Sequence, residues 1–154
     1  MGPDGRYERF GGLNFIDHPD NINYGTVVMD FTTTRSWRLG PTSALDVAPG
    51  ATPIEDVYFT IGNPHGATNW QVWARAEPNA AGLNLAPLLW AGSNSINQIG
   101  APVYDYLGNG APLTHTIQWS GMRTANRDVR VQEVPGSVIS STYSAYLHWT
   151  FVQA

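Results

Sequence analysis

Thr142-Tyr-Ser-Ala-Tyr-Leu-His-Trp-Thr-Phe-Val-Gln153 is the stretch whose reading decides the fold. Tyr143, Ala145, Leu147, Trp149 and Phe151 share one parity, and Ser144, Tyr146, His148 and Thr150 the other. That period of two sends alternate side chains to opposite faces of a strand. Trp149 and Phe151 enter the same interior, and each ring can take about 150–250 Å² out of water. A strand that ends in such a pair belongs at the centre of the packing. Trp70-Gln71-Val72 repeats the pattern upstream, with Ala74 and Ala76 on the same parity. Trp70, Val72, Leu147, Trp149 and Phe151 are therefore expected in one core.

Outward from these two strands, the chain is a series of short runs cut by Gly, Pro and Asn. Leu13 to Asp17 is a brief apolar run stopped by His18-Pro19-Asp20-Asn21, a turn cluster. Tyr24 to Phe31 reads as a Val-rich strand, Thr32 to Leu39 as its continuation, and Gly40 to Pro53 as an irregular connection. Val57, Phe59 and Ile61 alternate with Asp56, Tyr58 and Thr60, and Asn63-Pro64-His65-Gly66 ends that strand. Leu83 to Trp90 is the most continuously apolar stretch, although Pro87 argues for an edge or a bulge. Ile96 and Ile99 allow one helical turn at most. Pro102–Leu107 and Leu113–Trp119 flank Gly108-Asn109-Gly110-Ala111, whose Asn-Gly is a hairpin signal. Val129 and Val131 alternate with Arg130 and Gln132, and Pro135-Gly136 turns the chain into the last strand. No segment sustains a 3.6-residue period. Roughly eight to ten short strands with turn chemistry between them predict an all-β, antiparallel two-sheet sandwich of jelly-roll or immunoglobulin-like type, with a closed barrel as second choice.

Composition narrows the partners. The 154 residues, 42% of them hydrophobic, make one domain's worth of core. Cys is absent, which excludes disulfides, thiolate metal sites and a thiol nucleophile. Net charge is −4, and all eight basic residues are Arg. No basic patch of the size a phosphate backbone needs is expected, so nucleic acid is excluded as a partner. No apolar run reaches the length of a transmembrane helix, and no membrane insertion is expected. Met1-Gly-Pro-Asp-Gly-Arg lacks the apolar stretch of a secretory signal. The expectation is either a mature form with an added Met or a chain not exported by the usual route.

Two segments resemble a family. Asn63-Pro-His-Gly-Ala-Thr-Asn-Trp70-Gln-Val72 and Tyr143-Ser-Ala-Tyr-Leu-His-Trp149-Thr-Phe151 are similar to the two Trp-x-Leu motifs of WxL-domain proteins of Gram-positive cell surfaces, with Val72 and Phe151 at the third motif position. Leu13-Asn-Phe15 through Tyr24-Gly25-Thr26-Val27 is similar to the family's opening strands. The resemblance implies an extracellular domain of the cell surface or cell wall. It also implies non-covalent binding to peptidoglycan and association with WxL-interacting surface proteins.

Trp70 and Trp149 read as core tryptophans that explain the fold. Trp73 differs: with Trp70 and Val72 inward, it faces outward with Gln71 and Arg75. There it can stack on a sugar ring or fill a neighbouring subunit's pocket, or it can be an edge residue shielded by a loop. Tyr58 and Tyr146 also take outward parity. With Trp73 and Arg75 they are the candidate binding residues, and they form one patch if their strands are neighbours. Asp17-His18-Pro19-Asp20 reads as a turn, since nothing adjacent completes the oxygen shell of a calcium site. No catalytic residue or cofactor is expected: the chain has no nucleophile elbow, zinc-protease motif or phosphate loop. Nothing in the sequence selects a carboxylate pair among Asp30, Glu55, Glu77 and Glu133.

Residues 1–12 read as an arm and 13–154 as a single domain. The arm, with Tyr7 and Phe10 among Gly and Pro, is too broken to fold alone and is expected to order against another copy. Low charge, 13% against roughly 25% in ordinary soluble domains, leaves less repulsion to oppose association. Two non-enzymatic functions follow: a wall-binding surface module in multiple copies, or a structural subunit of a virion (decoration or tail) or of an extracellular filament, with other virion proteins as partners.

Overall fold

The computed structural model describes residues 12–40, 47–107 and 113–153 and the backbone of Gly5–Arg6. Its strands, in chain order, are β1 (Gly5–Arg6), β2 (Asn14–Asp17), β3 (Arg35–Trp37), β4 (Tyr58–Gly62), β5 (Trp70–Pro78), β6 (Leu83–Asn84), β7 (Leu89–Ala91), β8 (Asn94–Ser95), β9 (Ala101–Tyr106), β10 (Thr114–Gln118), β11 (Val129–Val134) and β12 (Tyr143–Gln153). A short helix, α1 (Trp119–Thr124), and 3₁₀ turns at Ile54–Asp56 and Ala86–Leu88 complete the elements. The protein is all-β, with three sheets, none of them closed into a barrel.

The first sheet has the order β1-β12-β5-β9, with β6 beside the start of β12. β12 and β5 form its spine, antiparallel over nine residue pairs from Ala145 opposite Pro78 to Gln153 opposite Trp70. β1 and β6 pair with β12 in parallel. On the far side of β5, Val72 faces Tyr104 while Trp73 faces Pro102, so Val103 is the extra residue of a β-bulge. The second sheet, β10-β4-β2, and the third, β3-β11-β7-β8, are antiparallel.

The alternation of β5 sends Trp70, Val72, Ala74 and Ala76 inward, all fully buried. Trp149 and Phe151 of β12 join them. The second sheet meets this face through Phe15 and Phe59. Phe15 stacks on Phe151 with ring centroids 4.2 Å apart, and Phe59 meets Trp149 edge-on at 4.9 Å, the tilted and offset geometries that aromatic quadrupoles favour. Leu89, Ala91, Val129 and Val131 of the third sheet belong to the same core. Leu147 packs on it while remaining partly exposed.

Several expected elements are different in the structure. Tyr24 to Phe31 is not a strand. Gly25 takes φ +87° with its amide held by the Asn23 side chain, Phe31 takes φ +71°, and Thr26 reaches only the Pro49 carbonyl, so no ladder forms. Of Thr32 to Leu39, only β3 joins a sheet. Leu83–Trp90 is broken by Pro87, which sits in the 3₁₀ turn between β6 and β7. The expected hairpin does not form either: β9 pairs with β5 and β10 with β4, so the chain changes sheets between them. Its turn, Gly108 to Ala111, lies outside the described residues, as does the arm apart from Gly12 and from Gly5–Arg6, which pairs with β12 of its own chain where another copy was expected. α1 was not expected; Trp119 and Met122, three apart, bury its single apolar face.

Candidate binding face

The outward parity of β5 places Gln71, Trp73, Arg75 and Glu77 in a row on the solvent side of the first sheet. Register aligns them with Val152, Thr150, His148 and Tyr146 of β12, and Gln71 and Trp73 with Asp105 and Pro102 of β9. Trp73, Arg75 and Tyr146 therefore share one face. Tyr58 does not: it lies on β4 in the second sheet, where its hydroxyl bonds the Asp17 carboxylate, which raises its pKa. Parity placed Tyr58 outward, but parity does not say which sheet a strand joins, and the three-aromatic patch reduces to two.

Trp73 is held in place by a chain of polar contacts. Its indole Nε1 donates to Gln71 Oε1 at 2.8 Å, and Gln71 Nε2 donates to Asp105 Oδ1 at 2.7 Å. Arg127, from the loop between α1 and β11, closes the chain with two bonds to Asp105, 3.1 Å to Oδ1 and 3.0 Å to Oδ2. Such bidentate pairs fix a carboxylate's orientation as well as its charge. Beneath the ring lies Gly100, where a Cβ would stand 3.0 Å from it. The half-buried indole is thus a fixed plate with one face against the sheet.

Beside the plate is a charged cluster. Arg75 Nη2 donates to His148 Nδ1 at 2.7 Å and pairs with Glu77 Oε1 at 2.9 Å. An arginine donating to Nδ1 fixes a neutral ring that carries its proton on Nε2. The face therefore offers an aromatic plate next to guanidinium, carboxylate and phenol groups, a mixture suited to a polar ligand with apolar faces. Asp105 and Pro102 were not legible as parts of it, because they come to Trp73 only through the pairing of β9 with β5, and Arg127 reaches Asp105 only from the loop between α1 and β11.

Trp70 is fully buried, stacked on Tyr106 at 5.3 Å with its Nε1 bonded to the Ala67 carbonyl. Buried Asn63 holds that turn, accepting from the Ala67 amide and donating to its carbonyl. Next to Trp70, the Tyr104 hydroxyl lies 2.6 Å from His115 Nε2. Burial lowers the His115 pKa; burial, then Tyr106 and Asp105, raise that of Tyr104. Both shifts favour the neutral forms, so the two groups share one hydrogen bond as a neutral pair.

The four carboxylates considered for hydrolysis occupy separate settings. Asp30 caps its own turn, Glu55 is exposed in a 3₁₀ turn, Glu77 pairs with Arg75, and Glu133 is exposed on β11. In the Asp17–Asp20 turn, Asp17 accepts from the His18 amide and His18 Nδ1 is 3.8 Å from Asp20. Among the described residues no group of three or more His, Asp or Glu is arranged to hold a metal ion, and no helix is long and apolar enough to cross a membrane. Comparison with protein families, curated proteins and solved structures finds no match to the chain.

Proposed function

We propose that the protein is a non-enzymatic surface or structural module that works in multiple copies and engages its target through the outer face of the first sheet. The observation that carries this reading is the fixed, partly exposed Trp73. A side chain held by Gln71, Asp105 and Arg127 and backed by Gly100 loses little further freedom on binding, and preorganised aromatics are the residues that dominate recognition surfaces. The stacking of Phe15 on Phe151 and of Phe59 on Trp149 supports the finer architecture, a two-layer sandwich of jelly-roll or immunoglobulin-like type.

The ligand class that suits the face is a glycan. Sugar rings present C–H faces to an indole and hydroxyls to Arg75, Glu77 and Tyr146, and the WxL-like placing of Trp70 and Trp149 points to peptidoglycan at the cell wall. The second reading, a virion or filament subunit, draws on the apolar residues Val28, Phe31 and Ile139, exposed at 83%, 80% and 71% on two loops that meet where Gly136 lies against the Phe31–Thr33 backbone, since contiguous apolar exposure marks contact sites. The test is sedimentation with purified peptidoglycan sacculi. Wild type is expected to pellet and Trp73→Ala to stay in the supernatant while remaining folded. Wild type that stays in solution beside a pelleting wall-binding control removes the wall reading.

A further inference from the structure

We infer that copies of this chain dock on one another by inserting Phe31 of one into the open groove beside β12 of another. The inference rests on the multi-copy reading and supplies its contact. Phe31 takes φ +71° while 80% exposed. A left-handed backbone is unfavourable for a bulky residue, and so exposed a ring gains little packing among the described residues in return. The turn nevertheless holds it firmly. The Asp30 carboxylate accepts from the amides of Thr32 and Thr33, at 3.0 and 2.7 Å, and from the Thr33 hydroxyl at 2.7 Å. Arg35 donates to the Val28 carbonyl at 2.9 Å. Gly136 lies so close beneath that a Cβ there would stand 2.5 Å from the Thr32 nitrogen. Strain kept in place by its surroundings is characteristic of binding sites. Among the described residues Phe31 is a knob without a hole.

The hole is on β12. Tyr143, Ala145 and Leu147 have the parity of buried Trp149 and Phe151, yet all three stay partly exposed. Over them lies an open groove of about 190 Å³, with Leu85, Leu89, Ala145, Leu147 and Trp149 forming its apolar side and Asp20, Asn21, Asn79 and Ser144 its polar side. A cavity of about 150 Å³ with apolar walls accepts benzene, so the groove has room for a phenyl ring. The Tyr143 hydroxyl, on the groove wall, donates to the Ile139 carbonyl of the loop next to the knob. The 136–139 loop thus links knob and groove, touching the Phe31–Thr33 backbone at Gly136 and the groove wall at Tyr143, and a knob on one copy can meet a groove on another.

Sedimentation velocity over a concentration series tests the contact with three chains. Wild type is expected to self-associate. Phe31→Asn, which suits a left-handed backbone, is expected to keep or raise the thermal midpoint while weakening association by about tenfold or more. Ala145→Phe fills the groove and is expected to weaken it similarly. An equimolar mixture of the two variants pairs the intact knob of one with the intact groove of the other and is expected to recover association. If wild type associates and neither variant changes it, the knob-and-groove contact is overturned while the multi-copy reading stands. Wild type that is monomeric at every concentration overturns both.

Discussion

Truncating Trp149 to Ala is the sharpest test of the packing. Its side chain is 1% exposed and meets Phe59 edge-on at 4.9 Å. A ring of this kind takes about 150–250 Å² out of water, worth about 4–6 kcal/mol at 25 cal/mol per Å². Trp149 also lines the open groove beside β12, so water can enter part of the space left behind. That relief brings the expected loss to about 3–5 kcal/mol, a large share of the roughly 5–15 kcal/mol that holds a domain together. Urea denaturation followed by far-UV circular dichroism measures it. With a slope of about 1–3 kcal/mol per molar, the midpoint should fall by about 2 M at a slope of 2, with the slope unchanged. Trp73→Ala should lose less, because its indole is partly exposed on the outer face. A Trp149→Ala loss below about 1 kcal/mol would refute the shared core of the first two sheets.

Acid should weaken the fold through His115. Burial lowers its folded pKa below the ordinary 6.5, so the unfolded chain binds the proton more readily and stability falls as pH drops from about 6.5 through the folded value. The excess pH dependence of wild type over His115→Gln, measured by urea midpoints between pH 7.5 and 5.5, should be positive; equal slopes would remove the neutral Tyr104–His115 pair. Asp30, held down to about 2 first by the Thr33 amide and then by the Thr33 hydroxyl and Thr32 amide, should titrate in that range by carboxyl NMR. Its contribution is present above the ordinary 3.8 and is lost as pH falls through about 2. Thr33→Val should move it back upward, and a wild-type value near 3.8 would contradict the cap beneath Phe31.

How much of this could be read from the chain depended on whether a pattern was local. β12, β5, β4 and β11 were legible because each alternates with one face against the core, a burial period of two that holds along most of β5 and over the Trp149–Phe151, Phe59–Ile61 and Val129–Val131 pairs of the others. Tyr24–Phe31 has strand composition and no partner; its conformation is decided by Gly25, Asn23 and Asp30 acting on backbone groups. The six residues of α1, fewer than two turns, are too short for periodicity to register. At the candidate face, the outward direction of Trp73, Arg75 and Tyr146 followed from parity. The membership of Tyr58 in another sheet did not, nor did the reach of Arg127 to Asp105, because strand order is a property of the whole packing. The bulge at Val103 belongs to the same class: it sets Asp105 across from Gln71 and is invisible in residues 101–106 alone.

Trp73 itself offers the most direct test of the central claim. The chain has six tryptophans, each giving one indole N–H signal in a nitrogen-edited NMR spectrum, with Trp73 assigned by its loss in Trp73→Phe. On titration with solubilised peptidoglycan fragments, the Trp73 signal should shift and saturate while those of buried Trp70 and Trp149 stay in place. A titration in which the Trp73 signal never moves, while fragments bind a wall-binding control protein under the same conditions, would contradict the assignment of this face to glycan recognition.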